Sequence, residues 1–190
     1  MSLWDVEAPF YRMIRHFPGL RRVLAVEHQG LRTLLSELKL HGHVVLDVGC
    51  GDGESLRLIE TPCARVGVDR SRWFAARTRR LTRAMTVVAD SAALPCRSTS
   101  IDLVLCIGLL EYSRHLSATL AELVRVTRPG GHLLLTCSPA GLMTMARRLP
   151  GHAMTPMTGE TLIARCEPFG LHVCAQQRLR SQHQVLLRKQ

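Results

Sequence analysis

Three glycines that follow a short apolar run with one acid are the residues with the clearest chemical potential. Residues 44–48 read Val-Val-Leu-Asp-Val, and Gly49, Gly51 and Gly53 follow at every second position. The apolar, β-branched run predicts a buried parallel strand, and glycine lets backbone N–H groups approach a ligand with no Cβ in the way. A helix that begins near Gly53 would direct its positive end to the same place. The pattern predicts a turn that binds a nucleotide-like or amino-acid-bearing ligand.

The spacing of these glycines distinguishes two kinds of nucleotide site. A dinucleotide-binding turn has the spacing G-x-G-x-x-G, whereas this turn is G-x-G-x-G, and Glu54 stands where the third dinucleotide glycine would fall. A second short strand, residues 65–69, ends in Asp69, 22 residues after Asp47. A carboxylate there can accept hydrogen bonds from both ribose hydroxyls of an adenosine.

Three further segments continue the pattern in a fixed order along the chain. With the glycine turn and Asp69, they make the sequence resemble the class I S-adenosylmethionine (SAM) methyltransferases. Residues 87–95 are similar to the adenine-binding segment of that family, residues 100–106 to its fourth strand, and residues 123–135 to its next helix, turn and fifth strand. The resemblance covers residues 40–190 closely and the first forty loosely. It is greatest for the compact group that includes ubiquinone, menaquinone and natural-product methyltransferases.

The resemblance implies an α/β fold with a Rossmann-like, seven-stranded, mostly parallel sheet, helices on both faces and an antiparallel last strand. The alternation of strand and helix patterns from Val44 to Pro139 is typical of such a sheet. Residues 1–40 are interpreted as an N-terminal helical cap over the cofactor mouth, and residues 41–190 as the methyltransferase domain. Residues 159–169 should form the last helix, and residues 171–176 and 184–188 the closing strands, which dinucleotide-binding folds lack.

The resemblance also implies SAM as the cofactor and S-adenosylhomocysteine (SAH) as its product. In this interpretation Asp47 orders the methionine end, often through water, and the glycine turn wraps the homocysteine portion. Asp69 holds the ribose, and Asp90 accepts a hydrogen bond from the adenine amino group. The implied cofactor-binding positions are Asp47, Gly49, Cys50, Gly51, Gly53, Asp69, Arg70, Asp90, Ser91, Ala92, Ile107 and Gly108.

Each of these side chains also has a structural alternative. Asp47 could cap the following helix, although an acid on a buried strand needs a polar partner. Asp90 could instead cap a helix, Arg70 could face water, and Ile107 and Gly108 could serve the core alone.

The sequence does not identify a catalytic residue. Weak candidates are Glu111 and His115, which follow the fourth strand, and Tyr11 in the N-terminal segment. Many relatives have leucine-glutamate-histidine after this strand, but Tyr112 replaces that histidine here. The Asp/Asn-Pro-Pro-Tyr/Phe signature of many amino-directed methyltransferases is absent from the sequence.

Composition limits the remaining classes. A chain of 190 residues with 46% hydrophobic and 21% charged residues is typical of one globular domain, and we expect a soluble, cytoplasmic protein without a membrane span. Seven cysteines without a C-x-x-C pair argue against disulfides and a metal site. The net charge is +10, and nearly all of the basic residues are arginine. The densest run of arginines, from Arg70 to Arg83, is expected on a surface helix remote from the methyl-transfer pocket.

The function that follows is methyl transfer from SAM to a small-molecule acceptor, by in-line displacement in a capped pocket. An apolar acceptor is suggested by methionines and aromatic residues in the segments that flank the pocket in this family: Trp4, Phe10, Tyr11, Phe17, Met143, Met145, Met154 and Met157. Two alternatives stay open: an RNA- or protein-directed methyltransferase that uses the Arg70–Arg83 helix, and a non-catalytic SAM-binding subunit. The methylated atom, the use of a general base and the oligomeric state are not readable from the sequence.

Overall fold

A computed structural model describes residues 5, 13, 18–141, 144, 145 and 154–190. Most of the first part of the N-terminal helical cap lies outside these described residues, as do five residues named above: Trp4, Phe10, Tyr11, Phe17 and Met143.

The described helices and strands alternate as the sequence predicts from residue 44 onward. The strands are β1 (Val44–Val48), β2 (Ala64–Asp69), β3 (Met85–Val88), β4 (Ile101–Cys106), β5 (Thr127–Cys137), β6 (Leu171–Arg178) and β7 (His183–Lys189). The helices are α1 (Pro18–Ser36), α2 (Glu54–Arg57), α3 (Arg72–Thr82), α4 (Leu116–Val126) and α5 (Gly159–Cys166), with 3-10 turns at Leu110–Tyr112 and Glu167–Phe169.

The strands form one seven-stranded sheet in the order β3-β2-β1-β4-β5-β7-β6. The pairs among β1 to β5 are parallel, and β7 runs antiparallel to both β5 and β6. This confirms the predicted fold class, including the antiparallel last strand. The reversal is local, because the N–H of Leu179 donates to the carbonyl of Gln182 (2.9 Å) in the hairpin between β6 and β7.

Two apolar cores lie on opposite faces of this sheet, since successive strand residues point to opposite sides. Leu46 and Val104 face the core covered by α4 and α5. Val45 and Leu103 face the core covered by α1 and α2. Helices therefore cover both faces, as predicted.

Helix α1 is part of the second core. Its residues Leu31, Leu34 and Leu35 are buried in that cluster. On the neighbouring turn, the carboxylate of Glu27 accepts a hydrogen bond from the Ser181 hydroxyl (2.6 Å). α1 therefore packs both on the sheet and on the β6–β7 hairpin, and these two contacts fix its position. The boundary at residue 40 between a cap and a domain stays a prediction.

No helix among the described residues is long and apolar enough to cross a membrane.

An acid at the amino-terminal edge of the sheet joins three neighbouring strands. Asp102, the second residue of β4, accepts hydrogen bonds from the N–H of Val44 on β1 (2.7 Å) and from Nε of Arg128 on β5 (2.5 Å). Burial by itself would raise the pKa of Asp102, but these two hydrogen bonds together lower it.

We expect the substitution Asp102→Ala to lower the free energy of unfolding by about 1–3 kcal/mol, because it removes two hydrogen bonds to a charged group. Urea unfolding followed by circular dichroism measures this change. Glu60→Ala, at an exposed acid, is the control and should change stability by no more than about 0.5 kcal/mol. Equal effects of the two substitutions would show that Asp102 does not join the strands energetically.

Candidate functional site

A cavity of about 250 Å³ lies at the carboxyl ends of β1, β2 and β4. Ligands of open α/β sheets bind at this edge, where the strand order reverses. Ten of the twelve predicted cofactor positions line the cavity: Gly49, Cys50, Gly51, Asp69, Arg70, Asp90, Ser91, Ala92, Ile107 and Gly108.

The glycine turn is held against β2 by its own N–H groups. The N–H groups of Gly49 and Cys50 both donate to the carbonyl of Val68 (2.8 and 3.1 Å), and that of Gly53 donates to the carbonyl of Cys50 (2.7 Å). The N–H of Gly51 donates to the carboxylate of Asp69 (2.9 Å). The expectation that these N–H groups face a ligand is therefore wrong, because their hydrogen bonds shape the turn instead.

The glycines are required by conformation and by space. Gly49, Gly51 and Gly53 have φ values of +75°, +48° and +69°, in the left-handed region that favours glycine. A Cβ on Gly51 would meet only the carbonyl oxygen of Gly49, at 3.9 Å, whereas a Cβ on Gly53 would lie 2.7 Å from Cγ2 of Thr82. Gly51 thus leaves the cavity open to a ligand. Gly53 is not among the residues that line the cavity and packs against α3, so its contact with the cofactor stays a prediction.

The helix after this turn is shorter than expected. α2 comprises only four residues, and its N-cap residue is Gly53, which has no side chain that could cap the helix. With a single turn there are few aligned peptide dipoles to sum, so the helix end adds little to the site.

Asp69 is fixed at the end of β2 by two backbone donors. One carboxylate oxygen accepts from the N–H of Gly51 and the other from the N–H of Ser71, each at 2.9 Å. A carboxylate oxygen can accept more than one hydrogen bond, so both oxygens retain capacity toward the cavity. Burial raises the pKa of Asp69, and the two backbone hydrogen bonds partly offset that rise.

Asp47 lies beneath the cavity and not in its lining. The side chain is 1% exposed, and its carboxylate accepts a hydrogen bond from the hydroxyl of Ser55 (2.5 Å). Desolvation raises the pKa of Asp47 to about 7, and the nearby charge of Asp69 adds to the rise while Ser55 opposes it. The role of Asp47 in ordering the methionine end, often through water, stays a prediction. Ser55, which does line the cavity, stands between Asp47 and the cavity.

The far end of the cavity is formed after β2 and β3. Asp90 accepts a hydrogen bond from the N–H of Ala92 (2.9 Å). This is a local turn and not the helix cap of the structural alternative, because no helix lies in the described stretch between β3 and β4. The other carboxylate oxygen of Asp90 is 3.6 Å from Nε of Arg70, and both side chains are about half exposed. The hydroxyl of Ser91 hydrogen-bonds with that of Thr119 (3.2 Å). These residues form a polar rim around this end of the cavity.

The segment after β4 forms a third wall. Gly108 has a φ of +66°, and its N–H donates to the hydroxyl of Thr136 on β5 (2.8 Å). A Cβ on Gly108 would meet no atom within 4 Å, so this glycine is required by conformation rather than by crowding.

The three catalytic candidates have different outcomes. Glu111 is 2% exposed and is not among the residues that line the cavity, and its carbonyl accepts from the N–H of Thr155 (2.8 Å). Its contact with the cofactor or substrate region stays a prediction. His115 lines the cavity and is exposed at the start of α4. Tyr11 lies outside the described residues. Tyr112, which replaces the family histidine, does line the cavity.

Sequence reasoning missed several lining residues. They include His28 and Leu31 on α1, Glu54 and Ser55 on α2, and Phe74 on α3. Ser55 and Glu54 follow the glycine turn directly, and that adjacency is a usable signal. His28 carries no comparable signal, because only the packing of α1 brings it to the cavity.

The arginine run is closer to the cavity than expected. Arg77 on α3 pairs with Asp52 of the glycine turn (2.7 Å), and its guanidinium lies 5.5 Å from the ring centre of Trp73. Arg70 lines the cavity itself. The prediction that the arginine run is remote from the pocket is therefore wrong for Arg70, and Arg77 contacts a residue of the cavity wall. The other arginines of the run are exposed: Arg72, Arg79, Arg80 and Arg83.

Comparison with known proteins gives a family match in the same region. Residues 46–135 match the model of a methyltransferase domain family. The phthiotriol/phenolphthiotriol dimycocerosates methyltransferase 1 of Mycobacterium ulcerans is 35% identical over 107 residues, which make up 53% of this chain and 40% of that protein. The aligned part of the chain spans between 24% and 40% of the length of the curated relatives it matches.

Solved structures show the same fold over nearly the whole chain. The magnesium protoporphyrin IX methyltransferase of Synechocystis, solved with bound SAH, has a TM-score of 0.79 at 16% identity and covers 98% of this chain and 96% of its own. A Haloferax volcanii putative methyltransferase, solved with the Trm112 methyltransferase activator, has a TM-score of 0.78 at 17% identity, covering 99% and 98%. At this identity the likeness shows the fold alone.

The sheet order, the glycine turn with Asp69 at the neighbouring strand end, and the match over residues 46–135 point to one family. The chain has the fold of the class I SAM-dependent methyltransferases, and its residues 46–135 match a methyltransferase domain family.

Proposed function

We propose that this protein transfers a methyl group from SAM to a small-molecule acceptor in the cavity at the carboxyl ends of β1, β2 and β4. The observation that carries the proposal is the wall formed by Gly51 and Asp69. A glycine backbone open to the cavity and a carboxylate fixed by two backbone N–H groups stand side by side there.

The residues present fit an adenosyl ligand. Gly51 leaves a cradle that a Cβ would begin to fill, and Asp69 offers oxygens that can accept from a ribose diol. The rim of Arg70, Asp90, Ser91 and Ala92 supplies polar groups for an adenine. Ile107 and Gly108 would lie along the side where the methyl group is presented.

SAM supplies a methyl group that is already activated on a sulfonium. The chain's own residues then have to align the acceptor and exclude water. Leu31, Phe74 and Leu109 provide apolar wall. Four lining residues after β4 have side chains that can hydrogen-bond an acceptor: Tyr112, Ser113, Arg114 and His115. No further catalyst is required where the nucleophile lies about 3–3.5 Å from the methyl carbon.

A small molecule is favoured as the acceptor because the cavity is bounded on two sides, by α1 and by the segment after β4. Two of the relatives named above carry printed names that specify a small-molecule acceptor. We propose an acceptor with apolar character, of the kind that quinone and natural-product methyltransferases use.

One structural observation supports the RNA- or protein-directed alternative. Arg72, Arg79, Arg80 and Arg83 are exposed and offer an anionic partner a positive surface. Incubation with methyl-labelled SAM and separate pools of small molecules, RNA and protein distinguishes the candidates by the pool that takes up the label. Label in the RNA or protein pool alone would contradict the small-molecule proposal.

Asp69→Ala should weaken SAM and SAH binding at least 10-fold, because hydrogen bonds from ligand hydroxyls to a buried carboxylate are lost. Isothermal titration of the wild-type protein with SAM, SAH and NADH, beside the variant, measures this. Micromolar binding of the two adenosyl ligands and none of NADH is expected for the wild type. Absence of adenosyl binding would refute the proposal.

Since Asp69→Ala also removes acceptors for two backbone N–H groups, a second variant is needed. Asp69→Asn keeps one side-chain oxygen and the shape of the residue. It should fold as the wild type does, by circular dichroism, and still bind SAH more weakly. Wild-type affinity in a folded Asp69→Asn would argue that the carboxylate does not meet the ligand.

The buried carboxylate of Asp47 should make stability depend on pH. Its pKa is raised from 3.8 to about 7 in the folded state, so between these values the folded protein holds a proton that the unfolded chain has released. This contribution to stability is therefore present at low pH and is lost as the pH rises from about 4 to 7.

Asp47→Asn should remove that component. Between pH 4.5 and 7.5 the free energy of unfolding of the wild type should fall by on the order of 2 kcal/mol more than that of the variant. Urea unfolding at several pH values measures the difference, with Glu60→Gln as the control at an exposed acid. Parallel pH curves for wild type and Asp47→Asn would show that Asp47 is ionised throughout.

A further inference from the structure

One polar pair on the cavity wall has no role in the function proposed above. His28 of α1 and Glu54, the first residue of α2, face each other with His28 Nε2 3.6 Å from Glu54 Oε2. Both line the cavity, and about a quarter of each side chain is exposed. Glu54 directly follows the glycine turn, whereas His28 lies outside the segment that matches the methyltransferase domain family.

The pair lies beside the glycine turn, where the turn's own N–H groups and Asp47 do not supply a recognition group. An amino-acid end of a ligand carries an ammonium and a carboxylate on neighbouring atoms, so its binding site needs an acceptor and a donor close together. The N–H groups of Gly49, Cys50, Gly51 and Gly53 are all turned into the protein. Asp47 is buried beneath the cavity on the Ser55 hydroxyl. Neither the turn's N–H groups nor Asp47 can therefore meet such a group directly.

His28 and Glu54 have the required chemistry and position. A carboxylate accepts from an ammonium, and a ring N–H of an imidazole donates to a carboxylate, with charge-assisted hydrogen bonds in both cases. Glu54 is fixed relative to the turn because the preceding Gly53 packs tightly against α3. His28 is fixed because its neighbours on α1, Glu27 and Leu31, are held by the hairpin and by the core.

Two other ion pairs near the cavity fit this task less well. Asp52 is engaged at 2.7 Å by Arg77, whose guanidinium does not line the cavity. Arg70 and Asp90 lie at the opposite rim, after β2 and β3. The pair of His28 and Glu54 thus combines a donor and an acceptor on the wall beside the glycine turn.

We propose that His28 and Glu54 bind the amino-acid end of SAM and SAH, with Glu54 accepting from the α-ammonium and a ring N–H of His28 donating to the α-carboxylate. This inference rests on the proposed function, because it assigns one end of the same ligand. It makes α1 part of the cofactor site, and it makes the pair the feature that distinguishes SAH from adenosine derivatives without an amino-acid group.

The test compares ligands that share the adenosine portion. SAH carries both charges, its decarboxylated analogue keeps only the amine, and 5′-methylthioadenosine has neither. Each is titrated by calorimetry into the wild type and into His28→Gln and Glu54→Gln. His41→Gln and Glu60→Gln, the same substitutions at exposed residues outside the cavity lining, are the controls.

The expected pattern differs for each ligand. His28→Gln should weaken SAH about 10- to 100-fold, as expected for loss of a hydrogen bond to a charged group, and should leave the decarboxylated analogue and 5′-methylthioadenosine unchanged. Glu54→Gln should weaken SAH and the decarboxylated analogue alike, again without effect on 5′-methylthioadenosine. The two control variants should bind all three ligands as the wild type does.

Two results would overturn the inference. Unchanged SAH affinity in both variants would mean that the pair faces another part of the site, such as the acceptor. An equal loss for SAH and 5′-methylthioadenosine would mean that the substitutions disturb the cavity as a whole. Failure of the proposed function is distinguishable from both, because in that case the wild-type protein would bind none of the three ligands.

Discussion

The hydrogen bond from the N–H of Gly51 to the carboxylate of Asp69 is the interaction on which the site depends. It closes the glycine turn of β1 onto the end of β2, beside the two bonds that Gly49 and Cys50 donate to Val68. Because the same carboxylate also accepts from Ser71 at the entrance to α3, one side chain sets the positions of the turn, the strand end and the following helix. The ligand then meets a wall whose shape is fixed before it binds, which lowers the entropy lost on binding.

Closing the turn in this way has an electrostatic cost. It leaves two carboxylates, Asp47 and Asp69, close together and largely removed from water, and burial raises the pKa of both. A nearby cation favours the ionised form of such groups. A ligand with a sulfonium centre would therefore be attracted to this edge of the sheet and would relieve the repulsion between the two acids. The attraction of a cationic cofactor would then come from the strand ends themselves, independent of any residue that touches the methyl group.

The sequence predicted the sheet and most of the cavity because both follow from local patterns. Strand β1, its glycines and Asp69 are adjacent in sequence to the features they create, and ten of the predicted positions line the cavity. The errors concern where polar groups point and how deeply they are buried, because the spacing of residues along the chain does not encode either property. Alternation places Asp47 on a buried strand but does not show that it sits beneath the turn, and glycine spacing does not show where the N–H groups point. His28 was missed for a different reason: it reaches the cavity only through the tertiary packing of α1.

Helix α1 connects these observations. Glu27 and His28 are consecutive, so they project from the helix about 100° apart. Glu27 points to the β6–β7 hairpin, where Ser181 and Gln184 bond its carboxylate and carbonyl (2.6 and 2.8 Å), while His28 points to the cavity. A rotation of α1 that kept one contact would break the other. The antiparallel hairpin that distinguishes this sheet from dinucleotide-binding folds therefore also sets the position of a cavity residue, although it lies on the opposite side of the sheet from β2. The closing strands thus act on the site through a helix and not through the sheet.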